Sequence, residues 1–116
     1  MNYTTKDSGK RVEFPSGFNR DVQENKPRFD LIPTSMLKRL AELYARGADK
    51  YGDWNWQKAE TPIEYQRFIG SAFRHFEAWR AGDQDEDHAS GAIWNIMAYE
   101  WHMERVAKEE EEERWG

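Results

Sequence analysis

Thr61-Pro62-Ile63-Glu64-Tyr65-Gln66-Arg67-Phe68-Ile69-Gly70-Ser71-Ala72-Phe73-Arg74-His75-Phe76-Glu77-Ala78-Trp79-Arg80-Ala81-Gly82 reads as a helix with both ends marked. Thr61 and Glu64 have capping-box spacing, and Pro62 takes the first helical position, where a missing N–H costs nothing. Tyr65, Phe68, Ile69, Ala72, Phe73, Phe76 and Trp79 recur at helical spacing and predict the buried face. Gly82 follows the last periodic residue, where helices commonly turn left-handed.

The same period continues on both sides. Upstream, Met36, Leu37, Leu40, Ala41, Leu43, Tyr44, Gly47, Ala48 and Tyr51 predict a helix over about 34–50, capped by Thr34 or Ser35 and followed by Gly52. The segment from Tyr51 to Trp56 reads as a loop. Downstream, Asp83-Gln84-Asp85-Glu86-Asp87 is an acidic turn in which Asp85 or Asp87 caps a third helix. Its expected inner face is Ala89, Ala92, Ile93, Ile96, Tyr99, Met103 and Val106. Glu109 to Glu113 place like charges at the negative end of that helix and predict fraying. No internal repeat and no strand pattern longer than a few residues is visible. Three helices with short connections define an all-α fold, a small bundle.

Residues 1–33 carry neither period, and Gly9, Pro15, Gly17, Pro27 and Pro33 punctuate them among many charges. The expected organisation is one domain, with an irregular N-terminal arm over 1–33 and a helical part over 34–116. The second half of the arm, rich in paired charges, is expected to be ordered.

A chain of 116 residues fits one domain, and a domain so small buries a modest share of its surface. Charged residues are 34% and hydrophobic residues 38%, which is polar for a self-sufficient monomer. Aromatics at 15% nevertheless supply the anchors that disordered chains lack. The combination predicts a helical unit completed by further copies, a homo-oligomer. The absence of cysteine excludes disulfides and thiolate zinc sites and suits a reducing cytoplasm. No apolar run approaches the roughly 20 residues that span a bilayer, so no membrane partner is expected. A net charge of -5 argues against nucleic-acid binding, yet a local basic cluster or a divalent cation can still hold a small anion.

Several side chains could carry chemistry. Asp83, Asp85, Glu86 and Asp87 cluster in the acidic turn, with His88 next in line. Spacing allows two readings: a solvated helix cap, or a hard-cation site for Mg2+ or Mn2+. His75 lies beside the apolar stripe of the second helix. His88, Asn95 and His102 are seven apart, so they share a stripe at the edge of the expected core face of the third helix, and Glu100 falls inside that face. Each of these residues alone has an ordinary structural reading, a hydrogen-bonded core histidine, a surface amide or a paired carboxylate. Together they suggest a helix–helix seam with a site. In the arm, Arg20, Lys26 and Arg28, with Asp21 and Asp30 between them, and Lys50 beyond it, offer cations suited to phosphate. Trp54 and Trp56 could stack on a base or simply anchor the loop. No Walker-type phosphate loop, nucleophile elbow or paired-histidine zinc helix is present.

The chain resembles the phage and prophage dATP/dGTP diphosphohydrolases, part of the wider MazG-like all-α nucleotide pyrophosphohydrolases. The resemblance rests on Ser8-Gly9-Lys10-Arg11, Arg20-Asp21, Lys26-Pro27-Arg28-Phe29-Asp30-Leu31-Ile32-Pro33 and Gly47-Ala48-Asp49-Lys50-Tyr51-Gly52-Asp53 with Asn55-Trp56. It continues through Ser71-Ala72-Phe73-Arg74-His75, the block from Gly82 to His88, and Trp94-Asn95. The order and spacing of these blocks span nearly the whole chain.

What the resemblance implies is a metal-dependent cut between the α- and β-phosphates of dATP or dGTP, giving the monophosphate and pyrophosphate. Some relatives serve phages that replace adenine with 2-aminoadenine, and a phage-encoded chain would work in the host bacterial cytoplasm. The usual MazG-like acidic pairs, three residues apart on two helices, are not matched: the first helix offers Glu42 and Asp49, and the third has Ala92 and Asn95. The metal, Mg2+ or Mn2+, is therefore expected at Asp85, Glu86 and Asp87 with His75. His88 and Asn95 are the expected catalytic residues. Arg20, Asp21, Lys26, Arg28, Lys50, Asn55, Trp56 and Arg74 are the expected substrate contacts. The rival readings are a house-cleaning pyrophosphohydrolase for another nucleotide and a non-catalytic helical adaptor.

Overall fold

Backbone hydrogen bonding and end signals place the helices close to where the periodicity does. The computed structural model describes residues 3–22 and 24–115, which fall into two compact units, Met1–Leu31 and Ile32–Gly116.

The first unit is less irregular than its sequence suggests. Strands β1 (Arg11–Glu13) and β2 (Asn19–Asp21) pair antiparallel, with Val12 opposite Arg20. The connecting turn closes through Phe14 N–H donating to Phe18 O at 2.8 Å, with Gly17 at φ +88°. Strands of three residues are too short to show an alternating pattern, which explains why the hairpin is invisible in the sequence. Two exposed charge pairs join near neighbours along the chain. Asp7 grips Arg11 through two bonds of 2.6 and 2.7 Å, and Arg28 grips Asp30 at 2.7 and 2.9 Å.

The second unit carries α1 (Thr34–Tyr51), α2 (Pro62–Ala81) and α3 (His88–Trp115), with a short 3-10 turn at Asn55–Lys58. The α2 ends match the sequence signals. Thr61 Oγ1 accepts from Glu64 N–H at 3.3 Å, and the Glu64 carboxylate reaches back to Glu60 N–H at 2.9 Å. Gly82 turns left-handed at φ +85°, and Asp83 N–H closes onto Ala78 O at 3.0 Å. At α1, Pro33 occupies the cap position and no side chain caps the helix, in place of the expected Thr34 or Ser35. At its C-terminal end α3 is helical through Trp115, and Arg105 pairs with Glu109 at 2.9 Å.

The core sits between α2 and α3, which run antiparallel: Tyr65 faces His102 with ring centroids 5.1 Å apart, and His75 meets His88 near the opposite end. The rotation of α3 differs from the expectation. Its buried residues are His88, Ser90, Gly91, Ala92, Asn95, Ala98 and His102. Ile93, Ile96 and Met97 are exposed, and so is Glu100. The His88–Asn95–His102 stripe, expected at the edge of the core face, is its centre. Burying such groups is unfavourable unless they are hydrogen-bonded. Here they are: among the described residues no buried side-chain nitrogen or oxygen lacks a partner.

Candidate functional site

The acidic turn follows directly from the left-handed stop of α2 at Gly82, so its carboxylates are delivered to the N-terminus of α3. They divide into two sets. Asp87 caps α3, accepting from Ser90 N–H at 3.2 Å and Ser90 Oγ at 2.8 Å. Its two oxygens also take a fork of bonds from Arg39 of α1, at 2.6 and 2.9 Å. Those Arg39 bonds, then the Ser90 bonds, hold its carboxyl well below the usual range. Asp87 is thus committed to joining α1 to α3, a use different from the metal ligation expected of it.

The other set comprises Asp85, Glu86 and His88, whose candidate ligand atoms all lie within 4.8 Å of one another. His88 is 7% exposed, and its Nε2 is 2.7 Å from Asp85 Oδ1. That bond holds the Asp85 carboxyl below its ordinary value. On the other side His88 Nδ1 lies 2.9 Å from His75 Nδ1. Two ring nitrogens at that distance share one proton. With both rings neutral, Nε2–H of His88 donates to Asp85 and Nδ1–H of His75 donates to His88, which leaves His75 Nε2 as a bare acceptor. Gly91 makes room for this chain: a Cβ there would meet the His75 ring at 2.8 Å.

His75, Asp85, Glu86 and Asp87 line one end of a cavity of about 1120 Å3 formed by α1, α2, the 3-10 turn and the start of α3. Ligand pockets commonly measure about 300–1,000 Å3, so a nucleotide-sized molecule fits. Asn95 also lines it, with Nδ2 donating to Gly91 O at 2.8 Å. Asn55 and Trp56 contribute from the turn, beside Phe68 and Trp94, and the Trp56 and Trp94 rings meet edge-on at 6.2 Å.

The cavity's cations are not the expected ones. Arg46, Lys58 and Arg67 line it, whereas Lys50 and Arg74 do not. Lys50 instead lies over the Tyr51 ring at 5.1 Å. A signal for Arg67 was present: Glu64, Arg67, Phe68, Ser71 and His75 follow one another at short helical intervals along α2 and form one edge of it. Arg20, Asp21, Lys26 and Arg28 all belong to the first unit. There Asp21 accepts from Ser8 Oγ and lies 3.9 Å from Lys26 Nζ; the Ser8 bond, more than any other contact, holds its carboxyl low. Among the described residues Arg20 forms no ion pair.

Asp85, Glu86, the His75 imidazole and three cations thus line one cavity of an all-α unit. The chain belongs to the dATP/dGTP diphosphohydrolase family: the model described as "dATP/dGTP diphosphohydrolase, N-terminal" matches residues 16–114. No curated protein and no solved structure matches it at a significant level. Among the described residues no helix is long and apolar enough to cross a membrane.

Proposed function

We propose that this chain hydrolyses the purine deoxynucleoside triphosphates dGTP and dATP to the monophosphate and pyrophosphate, with Mg2+ or Mn2+ held by the carboxylates of Asp85 and Glu86, and Asp85 oriented by the Nε2–H of His88. The observation that carries the reading is the meeting of Asp85, Glu86 and His75 with Arg46, Lys58 and Arg67 in one nucleotide-sized cavity. Two carboxylates are hard oxygen donors that both cations accept. When bound, the cation would polarise the α-phosphate and lower the pKa of a water. His75 is placed to take the proton of an attacking water at Nε2, and Asn95 to orient that water. Arg46, Lys58 and Arg67 offset the charge that grows on the pyrophosphate leaving group. Trp56, Phe68 and Trp94 offer apolar faces to the base. Incubation of dGTP with the protein and Mg2+ or Mn2+, resolved by chromatography, should yield dGMP and pyrophosphate, with purines preferred over pyrimidines. Formation of dGDP, or no turnover with the metal bound, would overturn the reading.

The same reading includes a second copy of the chain. Ile93, Ile96, Met97 and Glu100 occupy one face of α3, away from its buried stripe, and Ile93, Ile96 and Met97 are 39, 53 and 43% exposed. On α2, Phe73 and Phe76 are 67 and 47% exposed. Aromatic side chains of this size bury about 150–250 Å2 each when covered, and contiguous apolar patches beyond roughly 300–600 Å2 are rare on monomers. Residues that periodicity marks as core are thus left outside, as expected of a core completed by an identical face. Sedimentation should show a dimer or larger species, and Ile96→Asp should shift it to monomer. A monomeric wild type would reject the second copy.

A further inference from the structure

Taking the nucleotide cavity as proposed above, we propose that His102 and Arg105 are positioning residues: they clamp the Asn55–Lys58 wall of that cavity from behind and set KM for the nucleotide without touching it. His102 is fully buried and lies two turns of α3 beyond Asn95, outside the cavity lining. Its Nε2 is 2.9 Å from Trp56 O. Arg105 Nη2 lies 3.2 Å from His102 Nδ1, and it donates to Tyr65 Oη at 2.8 Å and to Ala59 O at 3.4 Å. A guanidinium only donates, so His102 Nδ1 is the bare nitrogen, and Nε2 carries the proton that goes to Trp56 O. One neutral tautomer serves both ring nitrogens of His102, while the two hydrogens of Arg105 Nη2 are shared among three acceptors.

The aromatic surroundings fix the ring in that pose. It stacks on Phe68 at 5.6 Å and meets the Trp56 and Trp101 rings edge-on. An apolar side chain would fill the same space, so packing alone does not account for the imidazole. What the two polar side chains share is their destination, the backbone carbonyls of Trp56 and Ala59. The Trp56 ring anchors the start of the segment between those carbonyls against Tyr44, Trp94 and Trp101, but the segment's backbone has few bonds of its own. It is one short 3-10 turn, entered through Trp54 in the left-handed region at φ +63° and closed by Gln57 N–H on Trp54 O at 3.0 Å. Yet it supplies Asn55, Trp56, Lys58 and Ala59 to the cavity. Ring packing holds one side chain of the turn, and α3 fixes its backbone through the two carbonyls.

The test compares wild type with His102→Phe, which keeps the bulk, His102→Gln, which restores an N–H donor, and Arg105→Gln. Two measurements are made on the assembled protein: steady-state dGTP hydrolysis at saturating Mg2+, and amide hydrogen exchange without nucleotide. Losing one buried hydrogen bond predicts a KM increase of about tenfold in His102→Phe with kcat held within about threefold, largely reversed in His102→Gln. Exchange at Gln57, Lys58 and Ala59 should rise about tenfold, while amides of the α3 start stay protected. A folded His102→Phe with unchanged KM, or one that loses kcat at constant KM, overturns the positioning role. Should His102→Phe not fold, Arg105→Gln carries the same expectation, because Arg105 is half-buried. Absence of dGTP turnover in the wild type would reject the nucleotide reading alone. The exchange comparison judges the clamp independently, and unaltered exchange at the turn overturns it.

Discussion

Asp85→Asn combined with Glu86→Gln should lower dGTP kcat/KM by about 100-fold or more and abolish Mn2+ binding measured by calorimetry. Both substitutions preserve shape and remove charge. After Asp85→Asn the amide oxygen can still accept from His88 Nε2, so the imidazole keeps its orientation and only the cation loses its ligands. Asp85 is 73% exposed and Glu86 is exposed, so folding stability should change by no more than about 0.5 kcal/mol. That separates a chemical loss from a structural one. Asp83→Asn provides the control, since Asp83 is a carboxylate of the same turn outside the nucleotide cavity. Its kinetics should match wild type. Retention of metal binding and turnover in the double variant would remove the acidic turn from the chemistry.

Gly91→Ala should destabilise the protein, and the same change in a His75→Ala background should stabilise it. A buried glycine in the interior of α3 ordinarily costs about 1 kcal/mol of helix stability relative to alanine. Against this stands the His75 ring, with Cγ and Nδ1 at 2.8 Å and Cδ2 at 2.9 Å from where the methyl would sit. The ring is bonded to His88 at 2.9 Å and cannot shift without breaking that bond. Overpacking of this kind costs about 1–3 kcal/mol, enough to outweigh the propensity gain. Turnover should fall by at least about tenfold, because His75 leaves its place beside the cluster. Without the His75 ring the clash disappears and the propensity gain of about 1 kcal/mol should remain. Denaturant melts of the four proteins at matched protomer concentration measure the cycle. An equal, stabilising effect in both backgrounds would show that the ring does not need the space the glycine leaves.

The residues of α2 show what local sequence can convey. Thr61, Pro62, Glu64 and Gly82 act within one helical turn of themselves, and each is found doing what its chemistry implies. The site was legible in part for the same reason. Asp85, Glu86 and His88 are neighbours in sequence, so their proximity needs only a turn, and His75 lies on the adjoining helix. Asp87 shows the limit: its partner Arg39 is 48 residues away, and no spacing rule could reveal that the pair would claim both carboxylate oxygens. Arg46 and Lys58 are likewise brought to the cavity by chain folding from separate elements.

The three long helices and both ends of α2 were legible in the sequence alone, because capping, chain reversal and hydrophobic period are written within a few residues of where they act. The rotation of α3 was decided only in three dimensions. Periodicity identifies an apolar arc but not what lies opposite it. Once Asp85 and His75, Gly91 O, and Trp56 O with Arg105 supplied partners for His88, Asn95 and His102, the cost of burying that polar stripe was offset, and Ile93 and Ile96 were left to face outward.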